Sequence, residues 1–280
     1  MIKPEILAPA GSPQALIAAV RSGADAVYLG IKGLNARRSA ENFDDDQLKE
    51  AVAYCHKHNV KVHLTLNTLV SDGELEKAQE AVRLACESGV DAIIVQDIGL
   101  AELIHRNAPE MPLHASTQMS VQTASGLKRL KKLGFTRAVL PRELSKEEIK
   151  KLCENSPVEL ECFVHGALCM CVSGQCLFSA VLGSRSGNRG ACAQPCRLPF
   201  GVENGTGHDL SLKDLSLIDY IAEMAEMGVC SFKIEGRMKR PEYVAAAVKA
   251  CRNSVDGVAD NALRDCLLYT SPSPRDTERS

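Results

Sequence analysis

Six of the twelve cysteines in this 280-residue chain lie within one stretch that runs from Glu161 to Arg197. After Glu161 this stretch contains no Asp or Glu, yet it carries Arg185 and Arg189. Gly, Ser and Asn dominate its second half, which makes it poor material for a packed core. Clustered thiols in such a segment indicate metal or redox chemistry, and the arginines indicate a neighbouring site for anions.

Four of these cysteines have a spacing that could hold a metal, namely Cys169, Cys176, Cys192 and Cys196. Four thiolates can bind zinc or a 4Fe-4S cluster. The CxxC pairs of zinc ribbons are absent from the sequence. The third cysteine of the radical-SAM pattern CxxxCxxC is also missing, since Pro199 stands in its place. The spacing predicts a metal or cluster site and leaves the metal open; buried or incidental thiols are the alternative.

The loop Gly183–Gly190 (GSRSGNRG) combines glycines with Arg185 and Arg189. Glycines let backbone N–H groups converge on an anion, and arginine binds phosphate or carboxylate through two parallel hydrogen bonds. A second basic group, which includes Arg237, follows the last predicted strand. Together they predict a surface for RNA or for an anionic metabolite, with a flexible surface loop as the alternative.

Short β-rich runs alternate with longer helical patterns along the chain and give eight strand–helix units. The predicted strands are Glu5–Ala10, Ala26–Gly30, Lys61–Asn67, Ala92–Val95, Pro112–Thr117, Arg137–Pro141, Glu159–Val164 and Ser231–Glu235. Eight such units are what a closed (β/α)8 barrel requires. A doubly wound open sheet is the alternative, but the loop APAGSPQA after the first strand is not the GxGxxG fingerprint. The sequence therefore predicts an α/β fold, a TIM-like (β/α)8 barrel with a Cys-rich insertion after the seventh strand.

The predicted barrel domain spans 1–256, with the insertion at 166–200. The tail, 257–280, contains LLYTSPSPRD, which looks like translated sequencing-adapter read-through, so we expect this part to be truncated or foreign and disordered. The N-terminus lacks the apolar core of a secretory signal, and no apolar run approaches the roughly 20 residues of a membrane span. We therefore expect a cytoplasmic protein without a membrane partner. The sequence carries no signal for an oligomeric state.

Working residues of such a barrel project from the C-terminal ends of the strands and from the loops that follow them. As substrate-binding residues we predict Asn67, Ser116, Gln118, Arg142, Arg185, Arg189 and Arg237. As acid–base residues we predict His165, Lys233 and Glu235. Each position taken alone could also be an ordinary polar loop residue.

Several stretches resemble one protein family. The pattern ExFxxGAxC followed by xxxxGxC, here Glu161–Cys176, resembles the signature of the collagenase-like peptidases (peptidase family U, number thirty-two). The stretches LAPAGS, GADAVYLG, ARRSAENF, LPREL, SGNRGACAQPCR and KIEGRMKRPEY are also similar to that family. Together these stretches run from Leu7 to Tyr243 and are highly specific.

The motifs HGALCMC and NRGACAQPCR resemble the RNA-hydroxylating branch of that family. This resemblance implies hydroxylation of a tRNA wobble uridine or a ribosomal cytidine. It also implies a 4Fe-4S cluster on Cys169, Cys176, Cys192 and Cys196, with zinc as the alternative metal. Cys171 falls outside the implied ligand positions. Prephenate, a dicarboxylate, is implied as hydroxyl source or required metabolite in a reaction without oxygen.

The family name itself implies proteolysis. The sequence contains no HExxH and no GxSxG motif, and Cys169 with His165 is the nearest nucleophile–base pair. A cysteine that ligates a cluster could not also serve as a free nucleophile. We therefore expect an RNA hydroxylase. A collagenase-like peptidase is the alternative, and a non-enzymatic RNA-binding or cluster-carrying partner is the second alternative.

Overall fold

The computed structural model describes residues 4–37, 40–205, 207–258, 260, 263 and 267. Most of the predicted foreign tail, including all of 268–280, lies outside these residues. Leu267 of that tail is buried against the apolar core. The predicted domain bounds stay a prediction.

Eight parallel strands close into a barrel. The strands in the described ranges are β1 (Glu5–Pro9), β2 (Ala26–Leu29), β3 (Lys61–Leu66), β4 (Ala92–Val95), β5 (Leu113–Ala115), β6 (Phe135–Val139), β7 (Glu159–Gly166), β8 (Leu215–Ser216) and β9 (Ser231–Ile234). Neighbours pair in the order β1 to β7, then β9, which returns to β1. The short β8 pairs antiparallel with β7 outside this ring. The predicted TIM-like barrel is confirmed.

Helices follow the strands and cover the outside of the barrel. They are α1 (Pro13–Arg21), α2 (Asp45–Lys57), α3 (Leu75–Ser88), α4 (Ile98–Asn107), α5 (Ala124–Lys132), α6 (Lys146–Glu154), α7 (Phe178–Gly183), α8 (Ile221–Met227) and α9 (Pro241–Val255). Local sequence sets their starts. The Ser12 side chain caps α1, and Ser145 with Glu148 forms a capping box on α6. No described helix combines the length and the apolar character that a membrane span requires.

Alternate residues of the strands pack on opposite faces of the barrel. The outward set forms one continuous aliphatic core with the helices. The inward set contains one small apolar cluster of Leu7, Ala26, Tyr28 and Ile94. Much of the remaining interior is polar and buried, including His63, His114, Arg137, Glu161 and Lys233. Most barrels of this type fill the interior with aliphatic layers, so this interior is unusual in its charge.

Several observed elements differ from the predicted ones: β1, β2, β3, β5 and β9 are one to three residues shorter than predicted, and β8 was not predicted. Strand β7 continues to Gly166, two residues beyond its predicted end, because β8 pairs with His165 and Gly166. Strand β6 begins at Phe135 rather than Arg137. The short helix α7 inside the insertion was not predicted, because six residues are too few to show a helical period.

Candidate active site at the barrel mouth

Three arginines and one glutamate, Arg37, Arg142, Arg237 and Glu235, meet where the barrel strands end, and we call this group the barrel mouth. The two carboxylate oxygens of Glu235 lie 3.2 Å from Arg37 Nη2 and 3.1 Å from Arg142 Nη2. Arg37 lies in the loop after β2 and Arg142 follows β6, so these ion pairs span the mouth. Although burial opposes ionisation, the neighbouring arginines lower the pKa of Glu235 to about 2. The carboxylate is therefore a counter-ion near neutral pH and a weak proton acceptor.

Arg237 is buried among neutral partners. Its Nη1 donates to Thr65 Oγ1 at 2.9 Å and to Asn35 Oδ1 at 3.3 Å, and the residue is only 5% exposed. In the part of the chain that the structure describes, no ion pair joins Arg237 to a carboxylate. Burial and the charge of Arg37 lower the pKa of Arg237 to about 10. A buried guanidinium without a direct counter-ion is suited to bind an anion.

Two glycines make room for Arg237. A Cβ atom on Gly11 would lie 1.7 Å from the carbonyl oxygen of Arg237. A Cβ atom on Gly30 would lie 2.7 Å from its Nη1. The first contact is with backbone, so a larger residue at Gly11 must shift the loop that carries Arg237.

Gly11→Ala is expected to lower the free energy of unfolding by at least about 1–3 kcal/mol, the usual cost of overpacking. Gly73→Ala is the matched control, because a Cβ there meets nothing within 4 Å. That control should change stability by less than about 0.5 kcal/mol. Urea unfolding followed by circular dichroism measures both variants. Equal midpoints for the two would contradict the close approach at Gly11.

Two aromatic rings line the mouth. The Arg142 guanidinium lies 3.6 Å from the ring centroid of Phe163, and Lys233 Nζ lies 4.5 Å from that of Tyr28. The Tyr28 hydroxyl donates to the carbonyl of Ile234 at 2.8 Å, which fixes its ring. Cation–π contacts of this kind hold the cations in place. The rings also offer apolar surface to the carbon framework of a ligand.

A series of ion pairs crosses the barrel interior below the mouth. Lys233 Nζ lies 2.8 Å from one carboxylate oxygen of Glu161, and Arg137 lies 3.2 Å from the other. Arg137 also pairs with Glu5 and Glu159. Burial opposes ionisation of the fully buried Glu161, but Lys233 and Arg137 outweigh it and lower its pKa. The interior is thus a fixed charged scaffold beneath the mouth.

The structure places His165 apart from the other two predicted acid–base residues. His165 lies in β7 after a register shift in its pairing with β9, and its ring stacks on Tyr243 of α9 with centroids 5.8 Å apart. Burial and the nearby charge of Lys239 lower the pKa of His165 to about 4. Lys233 lies inside the barrel instead, and Glu235 lies among the arginines. His165 therefore faces the helix layer, away from the other two residues.

Three of the predicted substrate-binding residues, Ser116, Gln118 and Asn67, contact neighbouring loops of the protein. The Ser116 hydroxyl accepts from the N–H of Gln118 at 3.3 Å. Gln118 packs so closely on Gly174 of the insertion that a Cβ there would lie 2.7 Å from its Cγ. The Asn67 side chain accepts from the N–H of Ala36 at 3.1 Å. These residues anchor the insertion and the loop after β2 to the barrel.

The four predicted arginines separate into two pairs. Arg142 and Arg237 come together in the barrel mouth. Arg185 is exposed, and its Nε donates to the carbonyl of Ala191 at 3.1 Å. Arg189 forms an ion pair with Glu74, just before α3. Arg185 and Arg189 therefore lie on the insertion, outside the mouth.

The four predicted cysteine ligands lie on the loops of the insertion. In the described ranges, no three Cys, His, Asp or Glu side chains converge closely enough to hold a metal ion. The segments that carry them are nonetheless neighbours. A Cβ atom on Gly187 would lie 3.5 Å from the carbonyl oxygen of Cys176 and 3.6 Å from Cβ of Cys192, and Arg197 Nη2 donates to the carbonyl of Leu168 at 2.7 Å. We call the four predicted ligands the cysteine group. Its donor chemistry fits a thiolate-bound metal or cluster.

Backbone N–H groups point at the sulfur atoms of this group. Phe178 N donates to Cys176 Sγ and Gln194 N to Cys192 Sγ, each at 3.4 Å and each from two residues further along the chain. Such hydrogen bonds stabilise anionic sulfur and tune the potential of a bound cluster. The insertion also reaches the mouth, because Arg142 Nη1 donates to the hydroxyl of Ser173, three residues before Cys176, at 3.4 Å. The cysteine group therefore adjoins the barrel mouth.

Sequence reasoning missed Arg37 as a member of the site, and it placed Tyr28 at the mouth only as the residue at the end of the second strand. Arg37 lies in ARRSAENF, a stretch with neither strand nor helix periodicity, 198 residues from its partner Glu235. Tyr28 was visible at the end of the second strand, but its role depends on Lys233 across the barrel. For Arg37 the one available signal was its place in the loop that follows a barrel strand.

Comparison with known proteins identifies the relatives of this chain. It is 40% identical over 263 residues to a 23S rRNA 5-hydroxycytidine synthase of Escherichia coli, covering 91% of this chain and 40% of that protein. It is 36% identical to tRNA hydroxylation protein P1 of Bacillus subtilis, covering 91% and 63%. It is also 36% identical to a collagenase of Porphyromonas gingivalis, covering 90% and 65%. The chain spans less than two thirds of each of these three relatives.

The fold comparison agrees with the barrel. The structure of the U32 peptidase Mk0906 aligns with a TM-score of 0.57 at 15% identity, covering 84% of this chain and 94% of that one. The family model described as Peptidase family U32 matches residues 11–272. Since this match takes in nearly all of the chain, including the cysteine group and the barrel mouth, the protein belongs to peptidase family U32.

Proposed function

We propose that this chain is an iron–sulfur enzyme that hydroxylates a pyrimidine base in tRNA or rRNA. The observation that carries the proposal is the contact between the cysteine-bearing insertion and the barrel mouth, where Arg142 Nη1 donates to Ser173 Oγ at 3.4 Å, three residues before Cys176. A redox-active group would then adjoin an anion-binding site. The names of two relatives, a synthase of 5-hydroxycytidine in rRNA and a tRNA hydroxylation protein, support RNA as the substrate class.

The cysteine group would hold a 4Fe-4S cluster. When bound, such a cluster supplies one-electron transfer. The N–H groups of Phe178 and Gln194 would compensate the negative charge on two of the sulfurs. Zinc on the same thiolates would be structural and redox-inactive.

The barrel mouth would hold prephenate as the co-substrate. In the proposed reaction a ring C–H of the pyrimidine becomes C–OH, and the prephenate carbon that gives up its hydroxyl gains the hydrogen. The base is oxidised by two electrons and that carbon is reduced by two, so molecular oxygen is not required. Arg142 and Arg237 would orient the carboxylates. A base inside RNA must leave its stack to reach the mouth.

Deleting the gene from its host is expected to remove one hydroxylated pyrimidine, 16 mass units heavier than its precursor, from digested total RNA. Mass spectrometry of the nucleosides makes the measurement. Wild-type protein should restore the nucleoside, and so should Lys128→Ala on the exposed side of α5. An unchanged nucleoside profile, with RNA still bound by purified protein, would favour the non-enzymatic partner.

The peptidase alternative finds support in the name of one relative, a collagenase. The nearest nucleophile–base pair was Cys169 with His165. The ring of His165 packs on Tyr243, and its Nδ1 has no hydrogen-bond partner among the described residues. Cleavage of denatured collagen that is lost in Cys169→Ser and persists without metal would support a thiol peptidase.

A further inference from the structure

We infer that Gln96 recognises the polar edge of a pyrimidine base. Its side-chain amide accepts one hydrogen bond from the base and donates another to it, on the uncharged side of the barrel. This inference rests on the proposed function for the class of substrate, a pyrimidine in RNA. It adds the residue that fixes which edge of the base enters the barrel first.

Gln96 directly follows β4 and lies on the inner face of the barrel. Ile94, two residues earlier, belongs to the small apolar cluster inside the barrel, and the alternation of side chains along a strand turns Gln96 to the same side. In the ring of eight parallel strands, β4 is four positions away from β9. Gln96 therefore follows a strand on the opposite side of the ring from the strand that leads to Glu235 and Arg237.

The amide of Gln96 is not engaged by the protein. Its Oε1 is buried and accepts no hydrogen bond from the described residues, and the residue is only 8% exposed. Gln118, which follows the neighbouring strand β5, is 7% exposed, and its Oε1 is likewise buried without a donor among these residues. Buried carbonyl oxygens cost free energy when no group donates to them. Two such oxygens at adjacent strand ends favour a ligand that donates hydrogen bonds there.

The surroundings of Gln96 favour an uncharged ligand edge. The carboxylate of the next residue, Asp97, accepts backbone N–H groups at 2.8 and 3.1 Å, one in the first turn of α4 and one in the loop after β3. In the barrel interior, burial lowers the pKa of His63 to about 4 and also lowers that of His114. Both imidazoles are therefore neutral near pH 7. The arginines lie across the barrel, so this side is left to neutral hydrogen-bonding groups.

A primary amide matches the edge of a pyrimidine. It presents an acceptor oxygen beside a donor nitrogen, and glutamine pairs with base edges through two parallel hydrogen bonds. Uracil presents N3–H beside the oxygen on C4, and cytosine presents the amino group on C4 beside N3. Either edge pairs with the amide of Gln96, and C5 and C6 of the ring are then left free to face the barrel mouth.

The stability of Gln96→Leu separates recognition from a structural role. Leucine replaces the amide by an apolar group of similar volume. Since no described group donates to Oε1, the urea midpoint should stay unchanged or rise. A clearly lower midpoint would mean that the amide supports the fold, and it would contradict the inference.

Fluorescence anisotropy on the complete 280-residue chain measures recognition itself. The probe is a labelled RNA hexanucleotide in which one uridine is flanked by abasic nucleotides. The matched probe carries N3-methyluridine, which has the same phosphates but cannot donate from N3. Wild type should bind the uridine probe about 5- to 100-fold more tightly, the effect of one to two hydrogen bonds.

Two variants assign that preference to one amide. Gln96→Leu should bind the two probes within about 2-fold of each other. Gln14→Leu, which removes an exposed amide from α1, should keep the preference of wild type. A preference that survives in Gln96→Leu, or that is absent from wild type, would overturn the inference.

The same measurements separate this inference from the proposed function. If gene deletion alters no nucleoside but the preference depends on Gln96, the proposed reaction fails and the base site stands. If gene deletion removes the hydroxylated nucleoside but wild type shows no preference between the probes, the base site fails and the reaction stands.

Discussion

Serine in place of Cys192 is expected to abolish iron binding by this protein, whereas serine in place of Cys171 is expected to leave it intact. Cys192 belongs to the cysteine group, and its sulfur accepts a hydrogen bond from the N–H of Gln194 at 3.4 Å. A hydroxyl replaces a soft thiolate poorly, so the cluster should be lost or degraded. Cys171 is an exposed thiol two residues from Cys169, which makes it a control for general thiol loss in the same loop.

The measurement is iron and acid-labile sulfide on protein purified without oxygen, together with its visible absorbance. Wild type should contain about four iron atoms per chain and absorb broadly in the blue. Cys192→Ser should contain almost none, and the hydroxylated nucleoside should disappear with the iron. One zinc per chain without iron would contradict the assignment of a 4Fe-4S cluster. Equal iron loss in Cys171→Ser would show that the ligand set is wrong.

Local patterns were sufficient to predict the barrel. Buried parallel strands appear as short aliphatic runs between turn residues, and Ala92–Val95 was predicted with its observed bounds. The capping box of Ser145 and Glu148 is likewise a local pattern, and it sets the start of α6. Strand β7 was predicted too short because its last residues pair with Leu215 and Ser216. That pairing joins positions about 50 residues apart, and no local pattern contains it.

The site was predicted only in part, because local patterns reveal some of its residues and not their pairing with distant ones. Composition located the cysteine group, and the strand-end rule located Arg142, Glu235 and Arg237. It could not show that a register shift turns His165 toward Tyr243. It also could not show which charges are paired, since Glu235 draws on arginines from two distant loops. Pairing across a closed barrel depends on the fold, and the roles of these residues follow from it.

Among the substitutions considered, removing the charge of Glu161 is expected to lower the free energy of unfolding the most. Glu161→Gln leaves the ammonium of Lys233 and part of the charge of Arg137 buried without a counter-ion. Breaking a buried ion pair in this way costs about 3–5 kcal/mol. The side chain is 0% exposed, so water cannot replace the lost carboxylate.

Glu159→Gln is the matched control, because Glu159 also pairs with Arg137 from the same strand but is 57% exposed. Water screens that pair, so its loss should cost less than about 1 kcal/mol. Urea unfolding of both variants at neutral pH gives the comparison. Similar costs would show that solvent reaches the interior and that Glu161 is not isolated from it.

The double variant Glu161→Leu with Lys233→Met separates stability from positioning. Replacing both charges by apolar groups removes the unpaired ion, so it should recover much of the stability lost in Glu161→Gln. It also removes the cation that lies 4.5 Å from the Tyr28 ring, directly below the barrel mouth. If the charged interior serves to hold the mouth, this variant should be stable and yet bind prephenate more weakly than wild type. Unchanged prephenate binding in a stable double variant would mean that the ion pairs fill the barrel without shaping its mouth.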